Sequence, residues 1–189
     1  SFESTVSVNT TPYAQLMAWE AIRRVFTDLP KALEDGSNID ARSSLAWADT
    51  LAGLCIATSG VTLPHGIGMA IGGMYPHVAH GETLALTYPA FTRFTWEAAV
   101  PQFATMGRLL NSGAHSAPDD EAARQSCEEL DGFLKKIGMW MSLEEKGVPE
   151  AELPALAKQS MVLPDYENNP RVVKSEAEML ELLQQCYRR

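Results

Sequence analysis

Between Leu63 and Leu86 the chain reads LPHGIGMAIGGMYPHVAHGETLAL, and no other stretch restricts the fold as much. Three of the four histidines, His65, His77 and His80, fall inside it, so histidine chemistry depends on how this stretch folds. Neutral imidazole is the commonest metal ligand and the usual proton carrier near pH 7. His65 and His80 lie fifteen residues apart. That is about 22 Å along an unbroken helix, at roughly 1.5 Å per residue. A metal holds its ligands at about 2 Å, so the two serve different sites unless the chain turns back between them. Gly72-Gly73 weakens a helix, and Pro76 cannot continue one without a break. The expectation is a helix carrying His65 that ends near Gly73 and a second that begins near His80. His77 and His80 would share a face only if their segment is helical. The alternative is a set of polar residues at a helix–helix corner.

Helical periodicity runs through the rest of the chain. Thr11 before Pro12 marks a helix start. Leu16, Trp19, Ile22 and Phe26 then recur at helical spacing, which predicts a helix to about Phe26. A short helix near Asp28–Asp35 is expected to stop at Gly36. Asp40 is expected to cap a long helix through Ala57, whose small residues would allow close neighbours and make it the central buried helix. Residues 83–99 (TLALTYPAFTRFTWEAA) read as a helix kinked at Pro89, with Leu84, Leu86, Phe91 and Phe94 facing inward. Further helices are expected at Pro101–Asn111, from Asp119 or Asp120 to Ile137 with Gly138 as stop, and at Leu143–Lys146, Ala151–Gln159 and Glu176–Tyr187. Ser175 and Glu178 have the spacing of a capping box. His115 reads as solvated, and so do the charged runs 118–124 and 144–146. Alternation of the strand type is hinted at only over Ser4–Val8. The fold class this predicts is all-α, a multi-helix bundle, and at 189 residues one domain is expected.

The formal charge of −9 and the pI near 4.9 argue against nucleic acid or an anionic membrane as partner. No apolar run reaches the roughly 18 residues that cross a bilayer, and no signal-peptide pattern opens the chain. Cys55, Cys127 and Cys186 are scattered and odd in number, which predicts reduced thiols and a cytoplasmic location. Gly66-Ile67-Gly68 with Gly72 is a poor echo of a phosphate loop, wrongly spaced and without a strand before it; close helix packing is the better reading.

The same stretch resembles the metal-binding signature of the iron-containing (group III) alcohol dehydrogenases. That signature places a His on a Gly- and Ala-rich helix, then a loop, then a His-Gly pair at the start of the next helix. His65-Gly66 and His80-Gly81 occupy those places, and the flanking ADTLAGLCIATSGVTLPH, ETLALTYPAFTRF and PRVVKSEAEMLELLQ also read like the family. The resemblance implies that His65 and His80 are metal ligands. Met69 departs from it, because many members carry a second, non-ligand His four residues after the first. In the family, an Asp and a His four residues later supply two more ligands, just ahead of a run like Ser1-Phe2-Glu3-Ser4. The chain would then begin immediately after those ligands, as a helical metal-binding domain over residues 1–189, with the N-terminal nucleotide-binding α/β domain absent.

The resemblance further implies a divalent metal, Fe2+ or alternatively Zn2+, that polarises an alcohol oxygen, and NAD(P) held by the missing domain. The expected function is the C-terminal half of an NAD(P)-linked alcohol dehydrogenase acting on a small alcohol or carbonyl substrate, inactive alone. Neither nucleic acid nor membrane is expected as partner, and a homo-oligomer is left open. Two rivals remain: a zinc-type relative of the glycerol dehydrogenases, and a catalytically silent helical interaction module.

Overall fold

The computed structural model describes residues 1–189, apart from the side chain of Ser112, and among these residues every regular element is helical. The first helix, α1 (Phe2–Val6), lies where the sequence hinted at a strand, and all five of its residues are buried. Its polar side chains tolerate burial because they find carbonyls nearby. Ser4 Oγ donates to Gly60 O at 3.0 Å, and Ser7 Oγ, just past the helix, donates to Ser59 O at 2.8 Å.

Helix α2 (Pro12–Glu34) starts as expected, with Thr11 Oγ1 accepting from the Ala14 amide at 3.1 Å. It does not stop at Phe26; the two predicted helices are one, and Pro30 sits inside its final turns. Asp28 ties that end down by accepting from Lys31 Nζ at 2.8 Å and from Ser44 Oγ on the next helix. Helix α3 (Ile39–Ser59) is capped by Asn38, whose Oδ1 accepts from the Ala41 amide, while Asp40 falls in the first turn. It is not the central helix. Only the stripe Ala41, Ala48, Leu51, Cys55 and Ser59 is buried, and Trp47, Leu54 and Ile56 face out. Its small residues mostly point away from neighbours, so α3 pairs with α2 around a separate apolar cluster that includes Met17, Ala21 and Leu51. Gly60, at φ +67°, ends it in a conformation that favours glycine.

Two helices follow: α4 (Leu63–Met74) and α5 (His80–Thr95). The central position belongs to α5, where Leu86, Ala90, Phe91 and Phe94 are buried and Pro89 is accommodated inside the helix. Gly68 allows the two to approach: a Cβ there would lie 2.8 Å from Thr83 Oγ1. Close packing accounts for Gly68 and, less tightly, Gly66; a Cβ at Gly72, Gly73 or Gly81 would meet nothing within 4 Å. No single helix among the described residues is long and apolar enough to cross a membrane, and the apolar pair α3 and α4 is bent by 104° at its junction.

Helices α6 (Val100–Leu110) and α7 (Asp119–Lys136) form the next hairpin, with Gly138 at φ +74° beyond its end. Here Gly107 is required, since a Cβ would lie 2.3 Å from the Ala122 carbonyl oxygen. Gly107→Ala should therefore destabilise the chain by about 1–3 kcal/mol, although alanine gains up to about 1 kcal/mol in helix propensity. A lowered denaturant midpoint would show it; an unchanged or raised one would mean the hairpin opens freely. Residues 143–147 form turns in place of the predicted helix, and the Leu143 and Glu144 amides donate to the carbonyls of Cys186 and Tyr187. The chain closes with α8 (Leu153–Ser160) and α9 (Glu176–Tyr187). Ser175 caps α9 as predicted, while Glu178 reaches back to the Lys174 amide. The main core gathers Phe2, Ile71, Leu86, Phe91, Phe103 and Met179, among others.

Candidate metal centre

His65 sits in the first turn of α4, behind Thr62 as N-cap and Pro64, and His80 is the first residue of α5. Between them residues 75–79 turn the chain back, with the Val78 amide donating to Tyr75 O. The two imidazole rings come to rest 5.3 Å apart between centroids, inclined at 63°. The glycine–proline break thus closes a separation that a straight helix would hold at about 22 Å. His65 is half-buried and His80 exposed.

His77 does not join them. Its segment is not helical, and its Nε2–H donates to the Lys146 carbonyl at 2.8 Å. Lys146 also donates from Nζ to Glu82 Oε1 at 2.7 Å, and Glu82 Oε2 accepts from the Ala79 amide at 3.0 Å. These bonds, that to Lys146 foremost, lower the Glu82 pKa and occupy both its oxygens. Tyr75 adds a third brace through its hydroxyl to Glu152 Oε2 at 2.5 Å. Burial, then the Glu152 bond, pushes its phenol up to about 12. Lys146, read from sequence as part of a solvated run, is a tie between the histidine turn and residues 142–152. His115 is exposed and lies on the 3₁₀ turn after α6.

The group that sequence reasoning missed is Glu3. Its side chain is 2% exposed, and Oε1 lies 2.8 Å from His65 Nδ1. The Thr62 amide donates to Oε2 at 2.9 Å, the Thr62 hydroxyl reaches the same oxygen at 3.4 Å, and the Tyr88 hydroxyl donates to Oε1 at 3.3 Å. Burial alone would raise the Glu3 pKa; the His65 bond and charge and the Thr62 amide outweigh it, and the pKa is lowered. Burial, then the Glu3 charge, raises the Tyr88 phenol well above its ordinary value, so it stays a donor. A signal was available: Glu3 is the only charged residue before Glu20. Among the described residues, no group of three or more His, Cys, Asp and Glu is arranged to hold a metal.

Comparison with known proteins places the fold in a family. The Fe-containing alcohol dehydrogenase family, C-terminal, matches residues 1–187. Long-chain-alcohol dehydrogenase 1 of Geobacillus thermodenitrificans is 31% identical over 159 residues, covering 84% of this chain and 40% of that protein. The NAD-dependent methanol dehydrogenase of Bacillus methanolicus is 29% identical over 172 residues, covering 91% and 45%. The crystal structure of a 1,3-propanediol oxidoreductase superposes with a TM-score of 0.92 at 26% identity, covering 98% of this chain and 48% of that one. The chain therefore spans about half the length of the relatives it matches. Its all-helical architecture and its match over nearly every residue make it a member of the Fe-containing alcohol dehydrogenase family, the C-terminal domain.

Proposed function

We propose that these 189 residues are the metal-binding half of an NAD(P)-linked alcohol dehydrogenase, with His65 and His80 as two of the metal's ligands. The observation that carries this reading is the 5.3 Å approach of the two rings across the helix break. The donor set fits the group the family name implies: imidazole suits iron and zinc alike, and His65 has its Nδ1 engaged by a carboxylate, as metal-bound histidines do. Fe2+ is the metal proposed, with Zn2+ as the alternative. When bound, the metal supplies Lewis-acid polarisation of an alcohol or carbonyl oxygen. The chain's own residues do the rest: α4 and α5 present the imidazoles from two rigid helix starts, and the Tyr75, His77 and Lys146 contacts keep the intervening turn in place. The nucleotide belongs to a part of the enzyme outside these residues. The three cysteines are all buried free thiols, which suits a reducing cytoplasm.

Alone, this chain should neither hold metal tightly nor oxidise alcohols. A catalytic site needs about three protein ligands and an open position, and two imidazoles fall short. Glu82 is already engaged by Lys146 and the Ala79 amide, which compete with a metal for its oxygens. Titration with Zn2+ or Fe2+ should find no nanomolar site, and NAD(P) with short alcohols should yield no reduced nucleotide. Nanomolar binding abolished by His65→Ala, or any turnover, would show the 189 residues to be self-sufficient. The positive test is fusion behind the N-terminal half of a relative. Metal-dependent alcohol oxidation should then appear and be lost in His65→Ala and His80→Ala; turnover indifferent to both substitutions would sink the ligand assignment.

A further inference from the structure

The carboxylate of Glu3 meets only donors. The Thr62 amide is an obligatory donor, and the Thr62 and Tyr88 hydroxyls are both oriented toward it. The Thr62 amide can only donate, and the two hydroxyls are free to donate as well; an ionised carboxylate has no proton to give, so at the 2.8 Å contact with His65 Nδ1 the ring N–H is the donor. A neutral imidazole carries one proton. With that proton on Nδ1, the opposite ring nitrogen, Nε2, is left bare.

We propose that Glu3 is a positioning residue for the metal site: it fixes His65 in the Nδ1–H tautomer, leaving Nε2 as the metal-ligating atom. The role rests on the reading of His65 as a ligand, but the tautomer exists without any metal. Imidazole free of such a partner spends part of its time with the proton on Nε2, where it blocks ligation. Glu3 removes that competition before the metal arrives. Its own position is secured from two sides, by burial of α1 in the core and by the Thr62 amide at the start of the helix that carries His65. The carboxylate therefore moves with α4, and the ring it orients cannot drift from it.

Glutamine at position 3 separates this role from simple space filling. An amide has one acceptor oxygen and one NH2 in place of two acceptor oxygens. With its oxygen on the Thr62 amide, its NH2 faces His65 Nδ1, which must then accept, and the ring proton moves to Nε2.

The experiment uses the metal-free 189-residue chain, with ring nitrogen shifts of His65 read by long-range 1H–15N NMR at a pH where the ring is neutral. Wild type should show the Nδ1–H form, Glu3→Gln should shift it to Nε2–H, and Tyr88→Phe should leave it as in wild type. Zn2+ affinity should fall about 10- to 100-fold in Glu3→Gln, and less in Tyr88→Phe. An Nε2–H tautomer in wild type overturns the proposal whether or not the glutamine variant folds. So does a glutamine variant that keeps Nδ1–H, or one whose Zn2+ affinity is unchanged while His80→Ala loses binding. If His65→Ala and His80→Ala both bind Zn2+ as wild type does, the ligand reading itself has failed. The tautomer data then still report whether Glu3 holds the ring.

Discussion

Phe103→Ala is expected to cost about 3–5 kcal/mol, a fall in melting temperature of about 6–20 °C for a chain of this length. The ring is fully buried on α6 and stands edge-on to Phe2 at 5.0 Å, with Phe91 of α5 at 6.3 Å. Three helices meet there, and each contributes a ring that cannot collapse into the space the substitution leaves. A large cavity in a rigid surround gives the upper part of the range. The consequence reaches the histidines, because Phe2 anchors the short helix on which Glu3 sits. Trp47→Ala removes a larger side chain yet should change stability by no more than about 0.5 kcal/mol, since that ring is 49% exposed on α3. Thermal melts of the two variants side by side check the contrast. Equal losses would mean that α3 is packed against something in solution, as a self-associating surface would be.

Glu3→Leu should be nearly as damaging, at about 3–5 kcal/mol, for a different reason. Leucine suits an enclosed site by size, so no cavity is opened. It leaves the Thr62 amide and the Tyr88 hydroxyl facing a methyl group, and each buried donor stranded this way costs about 1–3 kcal/mol. Adding Tyr88→Phe to Glu3→Leu should recover about 1 kcal/mol or more, because the second change removes a stranded donor. Chemical denaturation of the single and double variants gives the comparison. A double variant less stable than Glu3→Leu would show that the Tyr88 hydroxyl has another partner.

The histidine pair and its turn were legible because they depend on neighbours in sequence. Gly72-Gly73 and Pro76 break a helix wherever it lies, and the ends of α4 and the start of α5 fall within a few residues of those expected. The caps of α2 and α9, at Thr11 and Ser175, were legible for the same reason: a side chain reaches an amide three residues on. Errors arose where local signals had to be weighed against distant contacts. A break was expected after Phe26, yet α2 runs on through Pro30, with Asp28, Lys31 and Ser44 tying its end down. The small residues of α3 looked like a buried interior, although only one stripe of that helix found a neighbour.

The run 143–147 carries helix-forming residues and still forms turns, with the Leu143 and Glu144 amides bonded to the end of α9, some forty residues away. Glu3 is the sharpest case. Its partners Thr62, His65 and Tyr88 lie 59, 62 and 85 residues further along the chain. Periodicity, breakers and caps are short-range physics, so the helical class, most helix ends and the turn that lets His65 approach His80 could be read directly from the residue order. Which helix is central, and which buried acid faces a histidine, were decided only by tertiary packing. Burial of a charge is tolerated only where distant donors converge, and no local pattern records that convergence.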